Sequence, residues 1–77
     1  MPRFYFDTRD DDCFIQDDVG DDLPDLEAVT KEASRFLGEL ARDVLPESLT
    51  RVLKVEVRDE LRPVLEACLT FEAVLLV

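Results

Sequence analysis

The sequence contains no histidine and no tryptophan, and only two of its 77 residues are glycine. Histidine is the most common general acid and base in enzymes, so its absence removes the usual proton-transfer group. Two glycines are too few for a glycine-rich loop that binds phosphate. The serines, Ser34 and Ser48, have no obvious base to activate them. We therefore expect a protein that is not an enzyme and uses no cofactor.

Cysteines and long apolar runs are also scarce. Cys13 and Cys68 form no CxxC or Cys/His pattern, which favours two ordinary strand residues with reduced thiols over a disulfide or a metal site. No segment approaches the ~20 apolar residues that span a bilayer, and the N-terminus lacks the apolar run of a signal peptide. We expect a soluble, cytoplasmic protein without membrane contact.

Basic residues are few, and the formal net charge is -10. Residues 7 to 25, DTRDDDCFIQDDVGDDLPD, contain nine aspartates and one arginine. This excess of negative charge disfavours binding to nucleic acid, whose phosphates need basic partners. Three interpretations of the aspartates remain: a metal site, a mimic of nucleic-acid charge, or the turn and capping residues of a small fold.

Periodicity predicts a single α+β domain over residues 1 to 77. Apolar spacing after Pro24 predicts an amphipathic helix at about 26 to 45, with Asp25 as its N-cap and Pro46 beyond its end. Gly38 either marks a close approach of this helix to the sheet or is merely tolerated. Alternating or aromatic segments predict four strands: Arg3–Thr8, Cys13–Asp17, Val52–Arg58 and Val64–Glu72. The expected architecture is ββαββ, a four-stranded, mainly antiparallel sheet in the order 2-1-3-4 with the helix on one face.

The second strand divides the aspartates into two groups, Asp10–Asp12 and Asp17–Asp25, about 15 Å apart. No single ion spans that distance, and neither group fits the spacing of an EF-hand loop. Asp21, Asp22 and Asp25 are expected near the N-terminus of the helix, where negative charge is favoured. We expect Asp10–Asp12 to form a solvated turn. In the Asp17–Asp25 loop, we expect a positive φ at Gly20. A weak divalent-cation site remains the alternative function, with these ligands: Asp17, Asp18, Asp21 and Asp22.

The chain ends in AVLLV, where the alternation of the last strand breaks down. If the strand continued, Val74 and Leu76 would replace polar residues on its solvated face. Exposed apolar surface of this kind is often covered by a second copy of the chain. We predict a homodimer or a protein contact through residues 71 to 77, centred on Phe71, Val74 and Leu76. The alternative is a loose end that curls over the helix.

Four motifs carry a resemblance to a known family: MPRFYFD, DDVGDDLPDLEAV, VEVRDE and LTFE. With them the chain resembles a family of very short proteins from rhizobia and related alphaproteobacteria, classed as a domain of unknown function. The resemblance implies no activity, cofactor or catalytic residue. Asp10–Asp12 and the AVLLV ending depart from the family pattern. We expect a non-catalytic module for protein interaction or self-association.

Overall fold

The computed structural model describes all 77 residues as five strands, one α-helix and a short 3-10 turn. The helix, α1, covers Leu26–Val44, and the 3-10 turn follows at Leu45–Glu47. The strands are β1 (Arg3–Asp10), β2 (Cys13–Ile15), β3 (Asp21–Asp22), β4 (Thr50–Arg58) and β5 (Pro63–Glu72). The predicted α+β fold is confirmed, and the two-residue strand β3 is an addition to it.

All strands pair antiparallel in one sheet with the order β2-β1-β4-β5. This is the predicted order of the four main strands. The short strand β3 pairs with Arg3 and Phe4, on the same side of β1 as β2. One irregularity interrupts the pairing of β4 with β5, next to Val57 and Arg58.

The alternation of the central strand β4 separates two faces of the sheet. Leu53, Val55 and Val57 are at most 1% exposed and lie under the helix. The intervening Lys54, Glu56 and Arg58 lie on the opposite side, which we call the polar face. The predicted assignment of the two sides of this strand is therefore confirmed.

Helix α1 begins and ends where capping chemistry requires. The Asp25 carboxylate accepts a hydrogen bond from the Ala28 N–H at 2.9 Å, as expected for the N-cap. The helix ends two residues before Pro46, which cannot donate a helical hydrogen bond. A Cβ added at Gly38 would meet no atom within 4 Å, so this glycine is tolerated and marks no close approach.

The core consists of aromatic residues of β1, aliphatic residues of β4 and small residues of α1. Its members are Phe4, Phe6, Val29, Ala33, Val55 and Val57. Burial of each large apolar side chain stabilises the fold by roughly 1.5 to 3 kcal/mol. The rings of Phe6 and Phe36 lie 5.2 Å apart and attach the helix to β1.

Candidate functional site

The sheet has two edges that differ in construction. The outer side of β1 carries β2, β3 and the loop between them, and we call it the closed edge. The outer side of β5 carries no strand, and we call it the open edge. Strand edges present unpaired backbone groups to other chains, and the two edges differ in how many of these groups have partners.

At the closed edge, a side chain completes the hydrogen bonding that the strands leave unfinished. β2 pairs with β1 from Thr8 to Asp10, and β3 pairs with its first two residues. The N–H of Phe6 lies between them and donates to the Asp17 carboxylate at 3.0 Å. The prediction that the second strand reaches Asp17 is wrong, because the chain leaves the ladder after Ile15 and Asp17 contributes only its side chain.

The same carboxylate also organises the loop that follows. Asp17 Oδ1 accepts hydrogen bonds from the N–H groups of Val19 and Gly20, at 2.9 and 3.1 Å. Partial burial raises the pKa of Asp17. The hydrogen bonds from Phe6, Val19 and Gly20 and the positive charge of Arg58 lower it by more, so the pKa is below its ordinary value of 3.8. Asp17 is therefore an ionised anchor of the closed edge.

Gly20 fits the closed edge because it has no side chain. Its φ is +78°, so the predicted left-handed conformation is confirmed. A Cβ here would lie 2.9 Å from the Tyr5 ring and 3.0 Å from the Phe4 carbonyl oxygen. The loop can therefore lie directly against β1.

Asp7 is the one buried charged residue, at 6% exposure, and it lies on the polar face. Its carboxylate accepts hydrogen bonds from Arg58 Nε and from the Asp17 N–H, both at 2.9 Å. Arg58 also donates to the Asp17 carbonyl at 2.9 Å and lies 4.5 Å from the centre of the Tyr5 ring. The hydrogen bond to Asp7 outweighs desolvation and raises the pKa of Arg58. This cluster attaches β4 and the loop to β1, and it leaves no unpaired acid or base.

Two further ion pairs cross the polar face. Arg9 Nε lies 3.0 Å from Glu56, and Lys54 Nζ lies 3.2 Å from Glu66. These pairs are partly exposed, so each stabilises the fold by roughly 0 to 1 kcal/mol. Their main effect is to balance the charge of this face, which disfavours a highly charged partner there.

The Asp10–Asp12 turn does more than the solvated loop predicted for it. Asp11 has a φ of +50°. Its N–H donates to the Val52 carbonyl at 2.9 Å, and its carboxylate accepts a hydrogen bond from the Val52 N–H at 3.0 Å. Asp10 Oδ1 lies 2.9 Å from Arg51 Nε, a charge contact without hydrogen-bond alignment. Two of the three aspartates therefore fasten the turn to the beginning of β4.

The residues of the alternative cation site have separate partners. Asp18 accepts a hydrogen bond from Gln16, and Asp22 lies 3.2 Å from Arg3. Nowhere does the structure bring three histidine, cysteine, aspartate or glutamate side chains together for a metal ion. The candidate ligands that are not brought together are Asp17, Asp18, Asp21 and Asp22.

The prediction for the helix N-terminus is met only in part. Asp25 caps α1, as described above. Asp21 and Asp22 instead form β3, where their backbones pair with Phe4 and Arg3. Their sequence carries no strand signal, because aspartate is depleted in strands and the pairing depends on how the loop returns to β1.

The open edge has unpaired backbone groups at regular intervals. The Ala73 N–H donates to the Leu49 carbonyl at 2.7 Å, just beyond the register pair of Thr50 and Glu72. Because antiparallel ladders alternate, the odd-numbered residues of β5 bond β4 and the even-numbered ones point their N–H and C=O outward. The residues with outward backbone groups in the regular part of β5 are Glu66, Cys68, Thr70 and Glu72.

The predicted interface residues lie at one end of this edge. Phe71 is half-buried within β5 and lies across from Arg51. Val74 and Leu76 lie beyond the strand and are 66% and 92% exposed. The continuation of the strand considered above does not occur, and the exposure of residues 74 to 77 shows that the tail does not curl over the helix. A protein contact at these residues stays a prediction.

Comparison with known proteins gives one match. A family model described as Domain of unknown function (DUF6894) matches residues 3–70, which include β1 to β4, α1 and most of β5. No curated protein and no solved structure matches the chain. The one helix, α1, has neither the length nor the apolar character needed to cross a membrane. The prediction of a family of unknown function is therefore confirmed.

Proposed function

We propose that this chain, which belongs to the DUF6894 family of domains of unknown function, is a non-catalytic protein-interaction module that binds an extended strand at its open edge. The observation that supports the proposal is the contrast between the edges. The closed edge has a partner even for the isolated N–H of Phe6. The open edge leaves the outward groups of four alternate residues without one.

An added strand would complete the ladder of β5. Backbone hydrogen bonds supply affinity in this mode of recognition, and side chains on alternate positions supply specificity. Each such bond contributes roughly 0.5 to 1.5 kcal/mol net. Several in a row, together with apolar contacts on the helix side, are enough for a specific complex.

The regular part of β5 also has little of the usual protection against pairing. Proteins block exposed edges with charged side chains, especially lysine, or with proline or a bulge. Here Pro63 and the irregularity beside Val57 and Arg58 lie at the beginning of β5. From Leu65 to Glu72 the strand contains neither proline nor lysine, and its charged residues are Glu66, which is paired with Lys54, and Glu72.

The apolar tail, residues 73 to 77, lies beside this edge and adds contact area. Leu75 and Leu76 are 75% and 92% exposed, so they add to the apolar surface available to a partner. A strand docked on β5 would pass next to the tail. The expected interface residues Phe71, Val74 and Leu76 belong to this contact.

A proline substitution separates edge binding from folding. Thr70→Pro removes an outward N–H and no bond to β4, whereas Thr70→Val keeps that N–H and serves as the matched control. Tagged wild-type and variant chains would be used to capture partners from the native cell, with quantification by mass spectrometry. We expect at least one protein, or the untagged chain itself, to be retained by wild type and Thr70→Val and lost with Thr70→Pro. An identical set for all three baits contradicts the proposal.

A further inference from the structure

We infer that the strand bound at the open edge is β5 of a second copy, antiparallel, with the two-fold axis at Cys68. This inference rests on the proposed function and identifies its partner. In this register, Cys68 lies opposite itself and Glu66 lies opposite Thr70 of the second copy. On the helix side, Leu65 lies opposite Phe71 and Ala67 opposite Leu69, which pairs apolar residues throughout.

The charges of β5 select this register. Only the even-numbered residues of β5 point their N–H and C=O groups outward. Even-numbered residues of one copy must therefore lie opposite even-numbered residues of the other. An axis at Glu66 or Glu72 would place like charges opposite each other, and an axis at Leu69 would place Glu66 opposite Glu72.

Two other registers avoid these charge pairs but form shorter ladders. An axis at Ala67 pairs only the residues from Leu65 to Leu69 within the regular part of β5. An axis at Thr70 pairs only the residues from Cys68 to Glu72 within the strand. The axis at Cys68 uses the longest regular stretch.

The net charge of -10 on each copy does not prevent this contact. The Asp10–Asp12 turn lies at the beginning of β4, where Asp10 is paired with Arg51. The Asp17–Asp25 part of the aspartate-rich segment lies at the closed edge, three strands away from β5. At ~4.8 Å per strand it lies about 17 Å from the axis, beyond the Debye length of ~8 Å at physiological salt. Near the axis, Glu66 is paired with Lys54 of its own copy.

The side of α1 that faces the open edge provides an independent indication. Phe36 contacts Phe6 of β1, so helical geometry places its neighbour Leu37 on the side toward β5. The same side carries Thr30, Ser34 and Ala41, and its one charged residue, Glu27 in the first turn, is paired with Lys31 at 3.5 Å. The two hydroxyls already donate to the carbonyls of Leu26 and Thr30, at 2.8 and 3.0 Å. This stripe can therefore be buried without leaving polar groups unpaired.

The two-fold axis brings these stripes together. An axis perpendicular to the sheet keeps both helices on the same face of a continuous ten-stranded sheet. Each helix lies over β4 and β5, so strand spacing puts the two helix axes about 10 Å apart, the distance of ordinary helix packing. Small residues such as Ser34 permit that approach. The dimer then has a strand layer that is apolar on its helix side, and a helix layer whose hydroxyls are already bonded within each helix.

The experiment uses Cys68 as a position marker. In Cys13→Ser, Cys68 is the only thiol, and a short bismaleimide links two such thiols when they are close. We expect a dimer mass by light scattering and a Cys68–Cys68 link by peptide mass spectrometry. Thr70→Pro should abolish both results, and Thr70→Val should preserve them. A monomer at every concentration, or a dimer without the Cys68 link, overturns the inference.

A second pair of variants tests the helix layer and distinguishes the two proposals. Ser34→Glu places like charges between the helices and should raise the dimer Kd by about tenfold or more. Arg42→Gln changes the net charge equally on the solvent side of α1, where Arg42 is exposed, and should leave the Kd unchanged. Equal effects of both variants overturn the inference. If the pure chain is a monomer but capture remains sensitive to Thr70→Pro, the partner is another protein and the proposed function still holds.

Discussion

Strands near the edge of a sheet have outward N–H and C=O groups that need hydrogen-bond partners, and the closed and open edges of this sheet meet this need in opposite ways. At the closed edge, β2, β3 and one carboxylate take up the outward hydrogen-bonding groups of β1. At the open edge, a longer strand presents its outward groups to solvent, and an exposed apolar tail follows it. Where the ladder of β1 is interrupted, the chain inserts an aspartate to complete it. The difference shows that this small fold can supply partners for the outward groups of one long strand, β1, and that it supplies none for those of β5.

The largest test removes the anchor of the closed edge. Asp17→Ala leaves three backbone N–H groups without their acceptor, so we expect a loss of about 3 kcal/mol in the free energy of unfolding. Urea denaturation followed by circular dichroism measures this loss. Asp18→Ala, which removes only a contact with Gln16, should change it by less than about 0.5 kcal/mol. Equal losses in both variants would mean that Asp17 is not the anchor.

The next test adds one methyl group to the closed edge. Gly20→Ala forces a positive φ on a residue with a Cβ and drives that Cβ into Tyr5 and the Phe4 carbonyl. We expect a loss of about 2 kcal/mol. Gly38→Ala is the matched control, because its Cβ enters open space on a helix and should increase stability by roughly 1 kcal/mol. The comparison of the two glycines fails if both variants shift the thermal midpoint in the same direction.

Acid should weaken the closed edge through Asp17. Its pKa is lower in the folded chain than in the unfolded chain, so its ionisation stabilises the fold above about pH 4. This contribution is lost as pH falls through the folded pKa, which lies below 3.8. Asp17→Asn should therefore be less stable than wild type by about 1 kcal/mol at pH 7, with a smaller difference at pH 3. Denaturation at the two pH values measures it, and a difference independent of pH would contradict the assignment.

The smallest expected effect is at the open edge. Thr70→Pro removes an N–H that has no partner within the chain, so it should cost about 0.5 kcal/mol at a concentration where the chain is monomeric. Its effect on association should be large, as described above. A loss comparable with that of Asp17→Ala would show that the outward N–H of Thr70 already has a partner within one copy.

The main elements were predictable because their signals are local. Alternation in β4 and β5 and the helical spacing after Pro24 gave the strands, the helix and the sheet order. The Asp25 cap followed from the same local chemistry. Each of these features needs only a few neighbouring residues, and tertiary packing did not override them.

The construction of the closed edge was not predictable from the sequence. Asp17 bonds the backbone of Phe6, eleven positions away, and Asp11 bonds Val52 across a turn without glycine. A row of aspartates looks alike whether its members are solvated or anchored, so only their positions in the fold distinguish them. For the same reason Asp21 and Asp22 were expected near the helix and instead form β3.

The stacking of Arg58 on Tyr5 makes the chain its own optical probe. Tyr5 is the only tyrosine and the sequence has no tryptophan, so intrinsic fluorescence comes from a single ring. That ring belongs to β1 and lies under the guanidinium of Arg58. It also lies beside Gly20, whose missing side chain lets the loop approach β1. Release of the loop from β1 changes the surroundings of this ring, while events at β5 occur two strands away. Tyrosine emission therefore records opening of the first strand separately from changes at the last.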